Sequence, residues 1–219
     1  MNVRSIVSHV VKKRTKDKPG LTAYHIDYFS TLRRVKTILK YSSKNSNVLF
    51  VGDDDLISVI LSLIGYSNIA VIDLDEELLG IISSTSRNKV KAIKFDLKKV
   101  YKNKYPPLKS NFDIFVTDPP YSEDGLRIFP AVGIKYLKIN GIGMIVSPSK
   151  KIPNVSVRDP DKLTYLLENF LLKNGMIIID IIPDSQISYH GTISSLRVVR
   201  KIRNTKIYFD HLYGMNQFY

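Results

Sequence analysis

Aspartates stand at the ends of short apolar runs in this sequence. Val48–Val51 leads into Gly52-Asp53-Asp54-Asp55, Ile69–Ile72 into Asp73 with Asp75 close behind, Val90–Phe95 into Asp96, and Phe112–Thr117 into Asp118-Pro119-Pro120-Tyr121. If these runs are neighbouring strands of an open α/β sheet, their carboxyl ends line one crevice, the place where such sheets bind ligands. One Asp at such a position is an ordinary helix cap. A ring of at least six is costly, because carboxylates repel one another unless a cation or a hydroxyl-rich ligand sits among them.

The acids divide by position. Asp73 and Asp75 follow the second run by about 20 residues from Gly52, where an acid accepts hydrogen bonds from the ribose hydroxyls of an adenosine moiety. Asp73 suits the ribose and Asp75 suits the N-cap of a helix over 76–84. Asp96 falls near the adenine edge or caps a turn. The Gly52-Asp53-Asp54-Asp55 turn lacks the several glycines of an anion-binding loop. Its charges would repel the carboxylate of S-adenosylmethionine and attract the free aminopropyl end of decarboxylated S-adenosylmethionine. At ~4 Å and an effective dielectric near 20, that choice of sign is worth about 4 kcal/mol per charge pair. Asp118-Pro119-Pro120-Tyr121 is suited to an amine: the acid and a proline-fixed carbonyl accept its hydrogen bonds, and the ring stacks on it or on a base.

The elements that must position these groups alternate. The spacing of Tyr28, Leu32, Val35, Ile38 and Leu39 predicts a helix over 24–41, with Ser30 or Thr31 near its start. Helices are expected over 56–64, 76–84, 124–137 (despite Pro130) and 161–172, a fifth strand over 144–147 opened by Gly141 and Gly143, and a sixth over 176–182. Residues 195–200 and 206–209 read as a final hairpin about Arg203-Asn204. Strands alternating with helices imply right-handed crossovers and a mostly parallel sheet covered on both faces.

Composition excludes other classes. The chain has 219 residues, 44% hydrophobic and 24% charged, which is globular, and no cysteine, which rules out disulfides and thiolate metal sites. No apolar run could cross a bilayer, and the first residues lack a signal-peptide core, so the expected address is the cytoplasm with no membrane partner. Of the net charge of +13, residues 1–46 contribute 11 Lys/Arg against two acids, whereas residues 53–124 hold 12 acids against 9 Lys/Arg. The chain therefore divides into a basic segment, 1–46, with one helix, and a catalytic domain, 47–219. Residues 1–20 read as a frayed or loosely packed terminus in which Lys12, Lys13, Arg14, Lys16 and Lys18 form a solvated tail, and nucleic acid is a partner only through the basic segment. His25 and His190 read as structural or turn residues. Tyr208, Phe209, His211, Tyr213, Phe218 and Tyr219 either fold over the crevice or pack on the sheet edge.

Residues 47–58 (NVLFVGDDDLIS), 71–77 (VIDLDEE) and 113–129 (DIFVTDPPYSEDGLRIF) resemble the catalytic domain of branched-chain polyamine synthases, N(4)-bis(aminopropyl)spermidine synthases of thermophilic archaea and bacteria. The resemblance implies a class I methyltransferase-like Rossmann fold with a mostly parallel seven-stranded sheet and helices on both faces. It implies aminopropyl transfer from decarboxylated S-adenosylmethionine to a secondary amine of a polyamine such as spermidine, without a metal. Asp55 and Asp118 would be catalytic, Asp55 beside the reacting amine. Gly52, Asp53, Asp54, Asp73, Asp75 and Asp96 would hold the donor, and Pro119, Pro120, Tyr121, Glu123 and Asp124 the acceptor. Family members also carry a winged-helix-like N-terminal domain, expected to be missing here, and a homodimer stays open as an assembly. The competing expectation is an S-adenosylmethionine-dependent amino-methyltransferase acting on RNA or DNA, which the diproline motif favours and the triple aspartate opposes.

Overall fold

The computed structural model describes residues 2–14, 26–109, 111–150, 159–187 and 193–209. Strands β1 (Val48–Val51), β2 (Ile69–Asp73), β3 (Val90–Lys94), β4 (Phe112–Thr117), β5 (Leu137–Lys150), β6 (Met176–Ile187) and β7 (Ile193–Lys201) form one sheet in the order β3-β2-β1-β4-β5-β7-β6. β3 through β5 pair in parallel, and β7 enters antiparallel between β5 and β6. The helices are α1 (Val3–Val11), α2 (Tyr28–Tyr41), α3 (Ile57–Leu63), α4 (Glu76–Thr85), α5 (Gly125–Tyr136) and α6 (Pro160–Lys173), with a 3-10 turn over Leu97–Lys102.

The unbroken apolar strands follow from burial on both faces. Val48, Phe50, Val71, Ile114 and Val116 point into one core with α1, α2 and α3, while Leu49, Val51, Ile72 and Phe115 point into a second with α5 and α6. α5 approaches closely because Gly133 offers no side chain: a Cβ there would stand 2.3 Å from the Phe115 ring.

The structure departs from the sequence expectations at several places. Residues 3–11 are a helix, not a loose tail: Ile6, Val7 and Val10 are fully buried, an i, i+3, i+4, i+7 stripe with Val3 that the surrounding charges hid. Residues 3–14 and 28–46 have no core of their own, since α1 and α2 share the α3 core. β5 starts at Leu137, which already pairs with Phe112, and runs on through Asn140 at a left-handed φ of 64° with a shift of register before Ile142. Lys206–Phe209 forms no strand. Buried Asn174 instead accepts from Tyr208 N–H at 2.8 Å and donates to the Tyr208 carbonyl at 3.2 Å, holding that segment beside α6. Phe209 then packs on Tyr101 and Phe170. α2 is capped by Asp27, with Ser30 and Thr31 in its first turn.

Candidate active site

Register brings the acids together. Val51 is the pairing partner of both Ile72 in β2 and Thr117 in β4. The residues that follow, Gly52–Asp55, Asp73 and Asp118, therefore leave the sheet side by side. The Gly52 N–H donates to the Ile72 carbonyl at 2.9 Å, and the Thr117 hydroxyl to the Val51 carbonyl at 2.7 Å, fastening the three ends. Gly52 has a left-handed φ of 75°, which only glycine adopts without strain.

The three aspartates of the turn point in different directions. Asp53 caps α3, accepting from the N–H groups of Ile57 and Ser58 at 2.9 and 3.0 Å. This corrects its expected role in holding the donor: the carboxyl is turned into the helix, and burial pushes it up to about 7. Asp54 faces the crevice and has no hydrogen-bond or ion-pair partner among the described residues. Burial, then the charges of Asp73, Asp55 and Asp118, push its carboxyl well above the ordinary range. Asp55 turns toward the N-terminal helices, and its side chain is only 6% exposed. It accepts from Ile26 N–H at 3.0 Å and from Arg34 Nη1 at 3.1 Å, and lies 3.6 Å from Arg14 Nη2.

Arg34, from the middle of α2, joins the two expected catalytic acids. Its Nη1 donates to Asp55 Oδ2 and its Nη2 to Asp118 Oδ2 at 2.8 Å. Burial works against its charge, but Asp118 and Asp55 more than offset that, so the guanidinium is held above its ordinary range. Asp118 is the more open of the pair, with 26% of its side chain exposed. Arg14 lies behind, donating to the carbonyls of Asp55 and Ile26 and to the Thr31 hydroxyl at 2.6 to 3.1 Å. It is buried and is corrected from solvated-tail residue to part of the site wall, whereas Lys12 and Lys13 are exposed as expected.

Asp73 borders the same crevice. Burial pushes its carboxyl up, opposed by the N–H groups of Asp75 and Leu74. Tyr121 is fixed by a 2.5 Å contact between its hydroxyl and that of Ser194, and burial and Asp118 hold its phenol protonated. Pro119 is buried, and the Pro120 carbonyl accepts from Ser122 N–H at 2.8 Å. A Cβ on Gly125 would stand 2.3 Å from that carbonyl, so the diproline turn is seated directly on the start of α5.

The remaining candidates have other work. Asp75 caps α4 and Asp96 caps the 3-10 turn. Glu123 pairs with Lys162 of α6 at 2.9 Å. Asp124 is buried and accepts from the Tyr101 hydroxyl at 2.5 Å, so its expected contact with the acceptor is corrected to an internal one. Sequence reasoning missed Arg34. Its one signal is position: it lies three residues after Thr31 and four before Ile38, both fully buried, and so falls on the inward stripe of α2. Among the described residues no group of His, Cys, Asp or Glu is arranged to hold a metal ion, and no helix is long and apolar enough to cross a membrane.

Strand order, the antiparallel β7 and the acid-lined crevice at the carboxyl ends define a methyltransferase-like Rossmann domain. The chain belongs to the branched-chain polyamine synthase A C-terminal domain family, whose model matches residues 2–217. It is 31% identical over 186 residues to the N(4)-bis(aminopropyl)spermidine synthase of Thermococcus kodakarensis, covering 78% of this chain and 49% of that protein. The curated relatives it matches first are thus spanned to about half their length or less, 49% and 38%. Among solved structures, a branched-chain polyamine synthase mutein from Thermus thermophilus, in complex with N4-aminopropylspermidine and 5'-methylthioadenosine, has the same fold. The TM-score is 0.78 at 18% identity, covering 95% of this chain and 67% of that one. An RNA methyltransferase candidate from Pyrococcus horikoshii matches with a TM-score of 0.69 at 13% identity, covering 93% and 100%.

Proposed function

We propose that this chain transfers an aminopropyl group from decarboxylated S-adenosylmethionine to a secondary amine of a polyamine such as spermidine, making branched polyamines. The carrying observation is the charge of the crevice: Asp54, Asp55, Asp73 and Asp118 converge against the two guanidinium groups of Arg14 and Arg34. An excess of acid favours cationic ligands and disfavours a donor with a carboxylate. Family membership and the matched relatives support the same reading.

In this reading Asp73 accepts from the ribose hydroxyls, and Asp54, free of other partners among the described residues, takes the donor's terminal ammonium. Asp118 orients the acceptor nitrogen, with Asp55 held behind it through Arg34 and the ring of Tyr121 and the Pro119-Pro120 backbone beside it. The nitrogen lone pair forms a bond to the donor methylene as the carbon–sulfur bond breaks. The bonding pair passes to sulfur, turning the sulfonium into the thioether of methylthioadenosine. The acceptor's proton passes to the more open carboxylate, Asp118. The sulfonium is already a good leaving group, so holding nitrogen and carbon in line carries much of the rate.

The test is donor choice. Supplied with spermidine and either donor, the protein should release methylthioadenosine from decarboxylated S-adenosylmethionine. Release of S-adenosylhomocysteine from the intact donor alone would refute the reading and favour an amino-methyltransferase.

A further inference from the structure

The centre of this site holds a cation that the protein supplies itself. Arg34 is buried in the middle of α2, and one face of its guanidinium fork meets Asp55 while the other meets Asp118. A planar fork can hold two carboxylates at a fixed separation, which an ammonium or a solvent ion cannot. Asp118 is the acid left partly open, so a nitrogen that docks on it stands next to the guanidinium.

We propose that Arg34 is a positioning residue for aminopropyl transfer: it fixes the Asp55–Asp118 pair, and as a neighbouring positive charge it keeps the acceptor nitrogen in its free-amine form. This rests on the function proposed above and deepens it. Only the neutral amine has a lone pair to attack the donor methylene, yet polyamine nitrogens are protonated at neutral pH and an acid-lined crevice alone would favour that unreactive form. A like charge beside the nitrogen disfavours protonation. Arg34 therefore acts against tight binding of the acceptor and in favour of its reaction, which is a gain in the transition state rather than in the ground state.

Among the described residues, the charged and titratable groups around Arg34 include Asp55 after β1, Asp118 and Tyr121 after β4, and Arg14 after α1, with Asp54 beside Asp55 and Asp118. Tyr121 stays protonated, and Arg14 is committed to Asp55, Ile26 and Thr31. Removing the Arg34 charge raises the proton affinity of both the carboxylate pair and the docked amine, so both shifts move activity to higher pH.

The experiment follows methylthioadenosine release from decarboxylated S-adenosylmethionine and spermidine across pH for the wild type, Arg34→Gln and Arg34→Lys. Expected for Arg34→Gln is a kcat lower by about 10²-fold at neutral pH, the scale of a small misplacement of reacting groups. Its KM for spermidine should be unchanged or lower, and its pH profile displaced upward. Arg34→Lys keeps the charge but not the fork, so its profile should stay near that of the wild type while kcat remains reduced. A residue that only supports the fold would raise KM and lower kcat equally at every pH. If Arg34→Gln does not fold, Arg34→Lys decides, and a wild-type kcat in that variant overturns the proposal. An unmoved pH profile in Arg34→Gln beside an active wild type overturns it alone. A wild type that releases no methylthioadenosine overturns the proposed function and this inference with it.

Discussion

Asp54→Asn should make the protein more stable and the enzyme worse, and the two effects have one cause. Burial is the first cost of the Asp54 charge, and Asp73, Asp55 and Asp118 add to it, with no partner of its own among the described residues to offset them. At ~6 Å and an effective dielectric near 20, one such repulsion is about 3 kcal/mol, of which Arg14 and Arg34 screen a part. If about 1–2 kcal/mol survives, the melting temperature of a chain this size rises by roughly 2–8 °C. The sign with pH is fixed. An acid whose folded pKa lies above its unfolded value of 3.8 leaves the folded state binding more protons, so its contribution to stability falls as pH rises between the two. The variant's advantage should be absent near pH 4 and grow toward pH 8. Binding should go the other way. Asn cannot pair with the donor's ammonium, a loss of about 1.5–3 kcal/mol, or roughly ten- to hundredfold in Kd. Methylthioadenosine lacks the cationic chain, so its affinity should hold. Melting curves at several pH values with calorimetric titration of both nucleosides measure all of this. A lower melting temperature at pH 8, or an equal loss for both ligands, would refute the electrostatic account.

Asp118→Asn should lower kcat by about 10²–10⁴-fold, the range for loss of a general base, with methylthioadenosine affinity retained in a titration. Gly125→Ala places a methyl group against the Pro120 carbonyl; transfer assays should show a large loss of activity, and melting only a modest loss of stability, because the turn and not the core must shift. Ile6→Ala removes a side chain only 2% exposed in α1, and chemical denaturation should show a cost of about 2–5 kcal/mol. A cost near zero would mean that the first helix is not part of the core.

The sheet was legible because its physics is local. Four-to-six-residue apolar runs read as buried strands, and β1 and β4 fall where the runs do. The acids of the site were legible for the same reason: each ends a strand, and register does the rest. Less legible was the use of each acid. Asp53 and Asp54 are neighbours of one type, yet one caps α3 and the other faces the crevice, a difference set by the left-handed Gly52 and Leu56 on either side. Glu123 and Asp124 follow Asp118 closely in the chain, yet Lys162 of α6 takes one and Tyr101 of the 3-10 turn takes the other.

The basic balance of the N-terminal segment misleads because a charge acts through its location and not its count. Arg14 and Arg34 contribute to the basic balance of residues 1–46, which suggests an outside anion, but their partners lie within the chain. Buried acids around a crevice destabilise one another, and a buried arginine pair is an effective counterion when its hydrogen bonds are complete. The segment rich in base and the centre rich in acid are therefore two parts of one site. Two guanidinium groups set against four converging carboxylates hold the crevice together without neutralising it, and the acid that remains is what a cationic donor and acceptor can use.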